Sequence, residues 1–165
     1  MMTKKRNRIG LTVIAGIILI SISSCNLSKK YEKEEEANIQ AYLASHPTLH
    51  YEKKASGLYY LDTEVGTGAQ VATGDSVFIM LNVYDIYENI LGTNYDTPDT
   101  LKAKAGVGDF IAGFDEAVTY MKAGGKSMEV VPSYLAYGTS GSGLPAYTTL
   151  LYDIYLVRLK SNSKK

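Results

Sequence analysis

Alternation of apolar and polar positions is clearest near the carboxyl end, where Leu150, Tyr152, Ile154 and Leu156 line one face of a strand ending near Leu159. Lys126 to Pro132 has the length and branched residues of another strand. Between them and the amino-terminal half, Phe114, Ala117, Val118 and Met121 fall at i, i+3, i+4 and i+7. That spacing predicts one short amphipathic helix over residues 114–121, stopped by Gly124-Gly125. Ser76 to Tyr87 is a long apolar run that reads as a strand, and Leu58 to Thr63 and Leu101 to Ala105 read as shorter ones. Residues 64–75, 88–100 and 133–148 carry the Gly, Pro, Asn and Ser of turns and loops. Several antiparallel strands with one short helix predict an α+β domain over residues 51–160, the helix covering one sheet face. Residues 161–165 form a polar tail.

The amino-terminal pattern is different. Lys4, Lys5, Arg6 and Arg8 precede fourteen uncharged residues, Ile9 to Ile22. A bilayer span needs about 20 apolar residues, so this run fits the apolar stretch of a signal peptide better than a stable span. The only cysteine follows in Ile22-Ser23-Ser24-Cys25, which resembles a bacterial lipobox. The resemblance implies cleavage of a signal peptide, residues 1–24, and lipidation of Cys25, with membrane attachment at the bacterial cell envelope on its periplasmic or surface face. Two or more acyl chains make such anchoring stable. Residues 25–50 then form a lipidated terminus and tether. Lys29 to His46 is rich in helix formers and ends at Pro47, with Ile39, Tyr42 and Leu43 as a narrow apolar stripe. The stripe fits a spacer helix that lifts the domain off the membrane or docks on it, and equally a solvated, partly frayed segment.

Charge and chemistry narrow the function classes. The chain holds 17 basic and 17 acidic residues; without the four leading positives the balance is 13 − 17 = −4. No basic patch stands out, so a nucleic-acid partner is not expected. His46 and His50 are the only histidines, and Pro47 between them breaks the helix that would align them for a metal. Gly125-Lys126-Ser127 lacks the earlier glycine of a phosphate loop, because Tyr120 stands there. Ser142 stands where a nucleophile elbow needs its second glycine. Beyond His50 there is neither histidine nor cysteine. Phosphoryl transfer, dinucleotide chemistry and triad-type hydrolysis are disfavoured, and any catalysis is expected without covalent nucleophile, metal or cofactor.

The second half carries a specific series of motifs: Gly108-Asp-Phe-Ile-Ala-Gly-Phe-Asp-Glu-Ala-Val118, Met121-Lys-Ala-Gly-Gly-Lys126, Val131-Pro132, Leu135-Ala-Tyr-Gly138, Leu144-Pro145 and Thr149-Leu-Leu-Tyr-Asp-Ile154. Upstream stand Gly74-Asp75-Ser-Val77 and Tyr95-Asp96. In order and spacing this resembles the FKBP-type peptidyl-prolyl cis–trans isomerases over residues 56–160. The resemblance implies a bent antiparallel sheet of about five strands wrapping one short helix. It implies an apolar pocket with Phe114 as floor, Tyr95, Phe110, Ile111, Leu144 and Tyr152 as walls, and Tyr137 and Asp96 as polar groups. Leu81 falls where the family has a pocket tyrosine, and no arginine follows Tyr95-Asp96 to pair the aspartate. The implied activity is isomerisation of X-Pro bonds in envelope proteins, with the backbone N–H of Ile111 holding a substrate carbonyl. Implied partners are proline-containing polypeptides and macrolide ligands. The departures at Leu81 and after Asp96 leave a rival reading, a binding or chaperone module of this fold with little catalysis, and a third, a structural lipoprotein whose pocket is filled.

Overall fold

The computed structural model describes residues 8–139 and 143–162, with side chains from Leu27 onward. Lys4, Lys5, Arg6, the Cys25 thiol, Ser142 and residues 163–165 lie outside what is described. In chain order the elements are α1 (Arg8–Ser45), β1 (Glu52–Lys53), β2 (Tyr59–Glu64), β3 (Ser76–Asp85), β4 (Ile90–Thr93), β5 (Leu101–Lys104), α2 (Ala112–Tyr120), β6 (Lys126–Val131) and β7 (Leu150–Lys160). The strands form one antiparallel sheet in the order β1-β2-β6-β7-β3-β4, with β5 also on β3. Among the described residues no helix is long and apolar enough to cross a membrane.

The sheet has seven strands rather than about five. The two additional ones are β1, of two residues, and β4, whose four residues are all exposed; neither carries an alternating pattern. β3 stops at Asp85, two residues before the apolar run ends. The Asp85 carboxylate accepts the N–H groups of Tyr87 and Asn89, both at 2.9 Å, and turns the chain back into β4. Side-chain acceptors of this kind compete with the strand ladder and close tight turns.

Strict alternation sorts the strands onto two faces. On the inner face Val77, Ile79, Val131, Leu150, Ile154 and Leu156 pack against Phe114, Ala117, Val118 and Met121 of α2. The helix comes so close that a Cβ at Gly113 would collide with Val131. On the outer face Tyr59, Val130 and Leu151 receive Ile39 and Tyr42 of α1, with Leu43 beside them. The stripe at Ile39, Tyr42 and Leu43 therefore docks on the domain: it meets the apolar residues that point away from the inner core. Ile39 is 1% exposed, so this half of α1 is not a solvated spacer. The result is a three-layer arrangement, helix on sheet on helix.

Candidate functional site

The helix start builds the site. Ile111 is the N-cap of α2, extended at φ −57° and ψ 146°, and no side chain caps it. Its carbonyl accepts the N–H of Asp115 at 3.0 Å. Among the described residues nothing accepts the N–H of Ile111 itself. The loop ahead is fixed by Asp115, whose buried carboxylate accepts Gly106 N–H and Gly108 N–H, each at 2.7 Å. Both glycines have positive φ, 68° and 81°, a region where a side chain is strained. The carboxylate also sits in the first turn of α2, where the helix dipole favours negative charge.

This loop delivers Phe110 beside Phe114. Their ring centroids are 5.1 Å apart, and Phe114 and Tyr152 are 5.4 Å apart, so three aromatic rings form a continuous row. Phe114 is 2% exposed and floors it. Leu81, Ile111 and Leu144 pack against the same cluster while staying partly exposed. Burial pushes the Tyr152 phenol up, and the charge of a nearby Tyr137 phenolate would act in the same direction. Tyr137 is 42% exposed. The arrangement is an apolar surface beside a backbone donor that no described residue takes up. Such a surface holds a small apolar ring and hydrogen-bonds the polar groups beside it.

Two of the expected site residues stand apart. Thr93 of β4 pairs with Asn82, and its hydroxyl donates to Asn82 Oδ1 at 2.7 Å on the outer face. Beyond β4 the chain bends, with the Asn94 side chain on the β3 backbone and Tyr95 43% exposed. Burial, followed by the charge of Asp153, pushes the Tyr95 phenol up. The Asn94 Oδ1 accepts Leu81 N–H at 2.7 Å and its Nδ2 donates to the Ile79 carbonyl at 3.0 Å. It mends the edge of β3 between its partners β5 and β4. Asp96 is exposed and makes no hydrogen bond or ion pair to a described residue. Further residues outside the expected set join the cluster. Val83, opposite Tyr152 in the β3–β7 ladder, and Leu101 both pack against it. Val83 was visible in the sequence as the second position after Leu81 on the same strand face.

The family described as "FKBP-type peptidyl-prolyl cis-trans isomerase" matches residues 68–157. The FK506-binding protein of Neisseria meningitidis serogroup B is 31% identical over 109 residues, 62% of this chain and 96% of its own. The FKBP-type peptidyl-prolyl cis-trans isomerase FkpA of Buchnera aphidicola subsp. Acyrthosiphon pisum is 35% identical over 137 residues, 78% of this chain. The chain spans only about half of that relative's length, 54%. The crystal structure of FkpA from Escherichia coli superposes with a TM-score of 0.70 at 24% identity, covering 96% of this chain and 74% of that one, which supports the fold.

Proposed function

This chain belongs to the FKBP-type peptidyl-prolyl cis–trans isomerase family, and we propose that it accelerates rotation about X-Pro peptide bonds of envelope proteins. The observation that carries this reading is the aromatic row of Phe110, Phe114 and Tyr152 beside the N–H of Ile111, which no described residue accepts. Uncatalysed rotation takes tens to hundreds of seconds against a barrier of about 20 kcal/mol, the amide conjugation lost at the twisted geometry. No bond to the enzyme has to form. A site accelerates the step by binding the twisted amide better than either planar form. The proline ring rests on Phe114 between Phe110 and Tyr152, with Leu81, Val83 and Leu144 excluding water. The Ile111 N–H, at the positive end of α2, holds a substrate carbonyl, and the Tyr137 hydroxyl offers a second donor at the rim. Proline-containing polypeptides are the substrates, and macrolides fit the same apolar surface. Leu81 supplies an apolar wall in place of a phenol, so desolvation of the amide persists while one polar contact is lost.

Tyr137→Phe tests the rim donor, because it removes one hydroxyl from a side chain 42% exposed, without a cavity. The variant is expected to fold normally and to lose roughly threefold to tenfold in kcat/KM on an X-Pro peptide, the range of one neutral hydrogen bond. Unchanged turnover and affinity would remove Tyr137 from the site. The second reading, a binding module with weak catalysis, is favoured by the exposed Tyr95 and by an exposed Asp96 with no partner among the described residues. It predicts peptide binding without acceleration.

The anchor belongs to the same proposal. The basic, apolar and Ile22-Ser-Ser-Cys25 series supports cleavage before Cys25 and its lipidation, which holds the domain at the cell envelope. Mass spectrometry of the membrane fraction is expected to find Cys25 as a lipidated amino terminus. An intact chain with a free Cys25 thiol contradicts it.

A further inference from the structure

We infer that Glu35 of α1 is a positioning residue for the isomerase pocket, clasping both ends of the loop that carries Tyr137 and Leu144. This inference rests on the isomerase reading. The loop leaves β6 at Ser133 and returns to β7 at Thr149. Glu35 lies on the docked face of α1 and is 8% exposed; Ser133 and Thr149 are each 3% exposed. Its Oε1 accepts the Ser133 N–H at 2.6 Å and the Thr149 hydroxyl at 2.8 Å. Its Oε2 accepts the Ser133 hydroxyl at 2.8 Å. Three donors from two distant points of the chain thus converge on one carboxylate, and charge-assisted bonds of this kind are about twice as strong as neutral ones.

The clasp reaches the pocket through a short relay. Gly138, next to Tyr137, donates its N–H to the Ser133 carbonyl at 2.8 Å and accepts the Tyr147 N–H at 3.0 Å. α1 holds Tyr147 as well: Tyr31 stacks on it at 5.3 Å with the rings 19° apart, and the Tyr147 hydroxyl donates to Ser28 Oγ at 3.2 Å. Tyr147 has φ +60°, a left-handed conformation that a tyrosine keeps only where its surroundings impose it. The backbone beside Tyr137 is therefore pinned between two residues, each fixed by α1. In the sequence Glu35 is one of three successive glutamates and reads as part of a solvated face; only the fold singles it out.

The test compares the full chain with Glu35→Gln and with Ile39→Ala. The second variant weakens helix docking but leaves the carboxylate in place. Two readouts are taken, amide hydrogen exchange at Gly138 and Tyr147, and kcat and KM on an X-Pro peptide. In Glu35→Gln, exchange at the two loop amides is expected to rise at least tenfold while that at Ile154 in the sheet stays unchanged. kcat/KM is expected to fall about tenfold, and Glu35→Asp to restore part of it. Ile39→Ala, at equal loss of thermal stability, is expected to leave kcat/KM within about twofold. Wild-type exchange or wild-type turnover in a folded Glu35→Gln overturns the inference, as does an equal catalytic loss in Ile39→Ala. A wild-type chain that shows no turnover overturns the isomerase reading itself and the inference with it.

Discussion

Replacing Glu129 by leucine is expected to stabilise the protein, by several kcal/mol at pH 9 and by less at pH 6. Glu129 lies on the inner face of β6, between Tyr60 of β2 and Tyr152 of β7, where its neighbours on the same strand face are Ser127 and Val131. It is 1% exposed, and neither carboxyl oxygen has a hydrogen-bond partner among the described residues. Burial, reinforced by Asp153 and Asp62, pushes its carboxyl up from 4.5 to about 8. The Ser127 hydroxyl opposes the shift more than either aspartate adds to it, yet it donates to Met121 Sδ at 3.2 Å. The native state therefore keeps a proton that the unfolded chain releases near the ordinary carboxyl value. Stability is full below about pH 4.5, falls as pH rises towards about 8, and levels off above it. The total loss is on the order of 4–5 kcal/mol, at about 1.4 kcal/mol per unit of displacement. Two variants separate the causes. Glu129→Gln removes the titration but keeps an unpartnered polar group, so it gains mainly at high pH. Glu129→Leu removes both penalties and gains at every pH. Urea unfolding at pH 5, 7 and 9 reads the difference, and equal midpoint shifts of the two variants at every pH would contradict the account.

Phe114→Ala is expected to cost about 3–5 kcal/mol, as truncations of buried phenylalanines do. Phe114 stands at the base of α2, meets the rings of Phe110 and Tyr152 at tilts of 55° and 54°, and is 2% exposed in the inner core. Removing the ring opens a cavity under the helix start and takes away the floor on which a proline ring would rest. Domains are stable by roughly 5–15 kcal/mol, so this change alone consumes a large share of the margin. Denaturant unfolding should show the shift in midpoint, and the fraction still folded should bind X-Pro peptide at least tenfold more weakly. An unchanged midpoint would remove Phe114 from the core, and unchanged affinity from the site. Core and site coincide at this residue, so its loss of activity is meaningful only beside the Tyr137→Phe result.

What the sequence made legible follows from how strongly each element is constrained by burial. α2 and β7 have one face wholly inside the inner core, so their periods of 3.6 and 2 stand out, and both occur within two residues of where the pattern puts them. β4 has no buried face, and its exposed Ile90-Leu91-Gly92-Thr93 gives no alternation to read. Tyr95 is exposed in the turn after Thr93, whose pairing with Asn82 is a register fixed by tertiary contact and by the Asn94 side chain. A motif match assigns Tyr95 a place in a series but not its exposure. The docking of α1 was half visible: the stripe of Ile39, Tyr42 and Leu43 showed an apolar face, while its partners Tyr59, Val130 and Leu151 emerge only when three strands align. Glu35 and Glu129 both look like ordinary charged residues in the sequence. One proves to be a buried clasp and the other an unpartnered carboxyl in the core, because burial and partners are properties of the assembled fold.

Acceleration of cis-to-trans relaxation in short X-Pro peptides by the purified chain is the most direct measurement of the central claim. The account predicts a rate that rises linearly with protein concentration, needs no nucleotide or metal, and survives chelation. It also predicts competition by a macrolide that occupies the surface of Phe110, Phe114 and Tyr152. Relaxation at the uncatalysed rate on several X-Pro peptides, by a folded chain that still binds unfolded polypeptide, would contradict it and establish the binding-module reading instead.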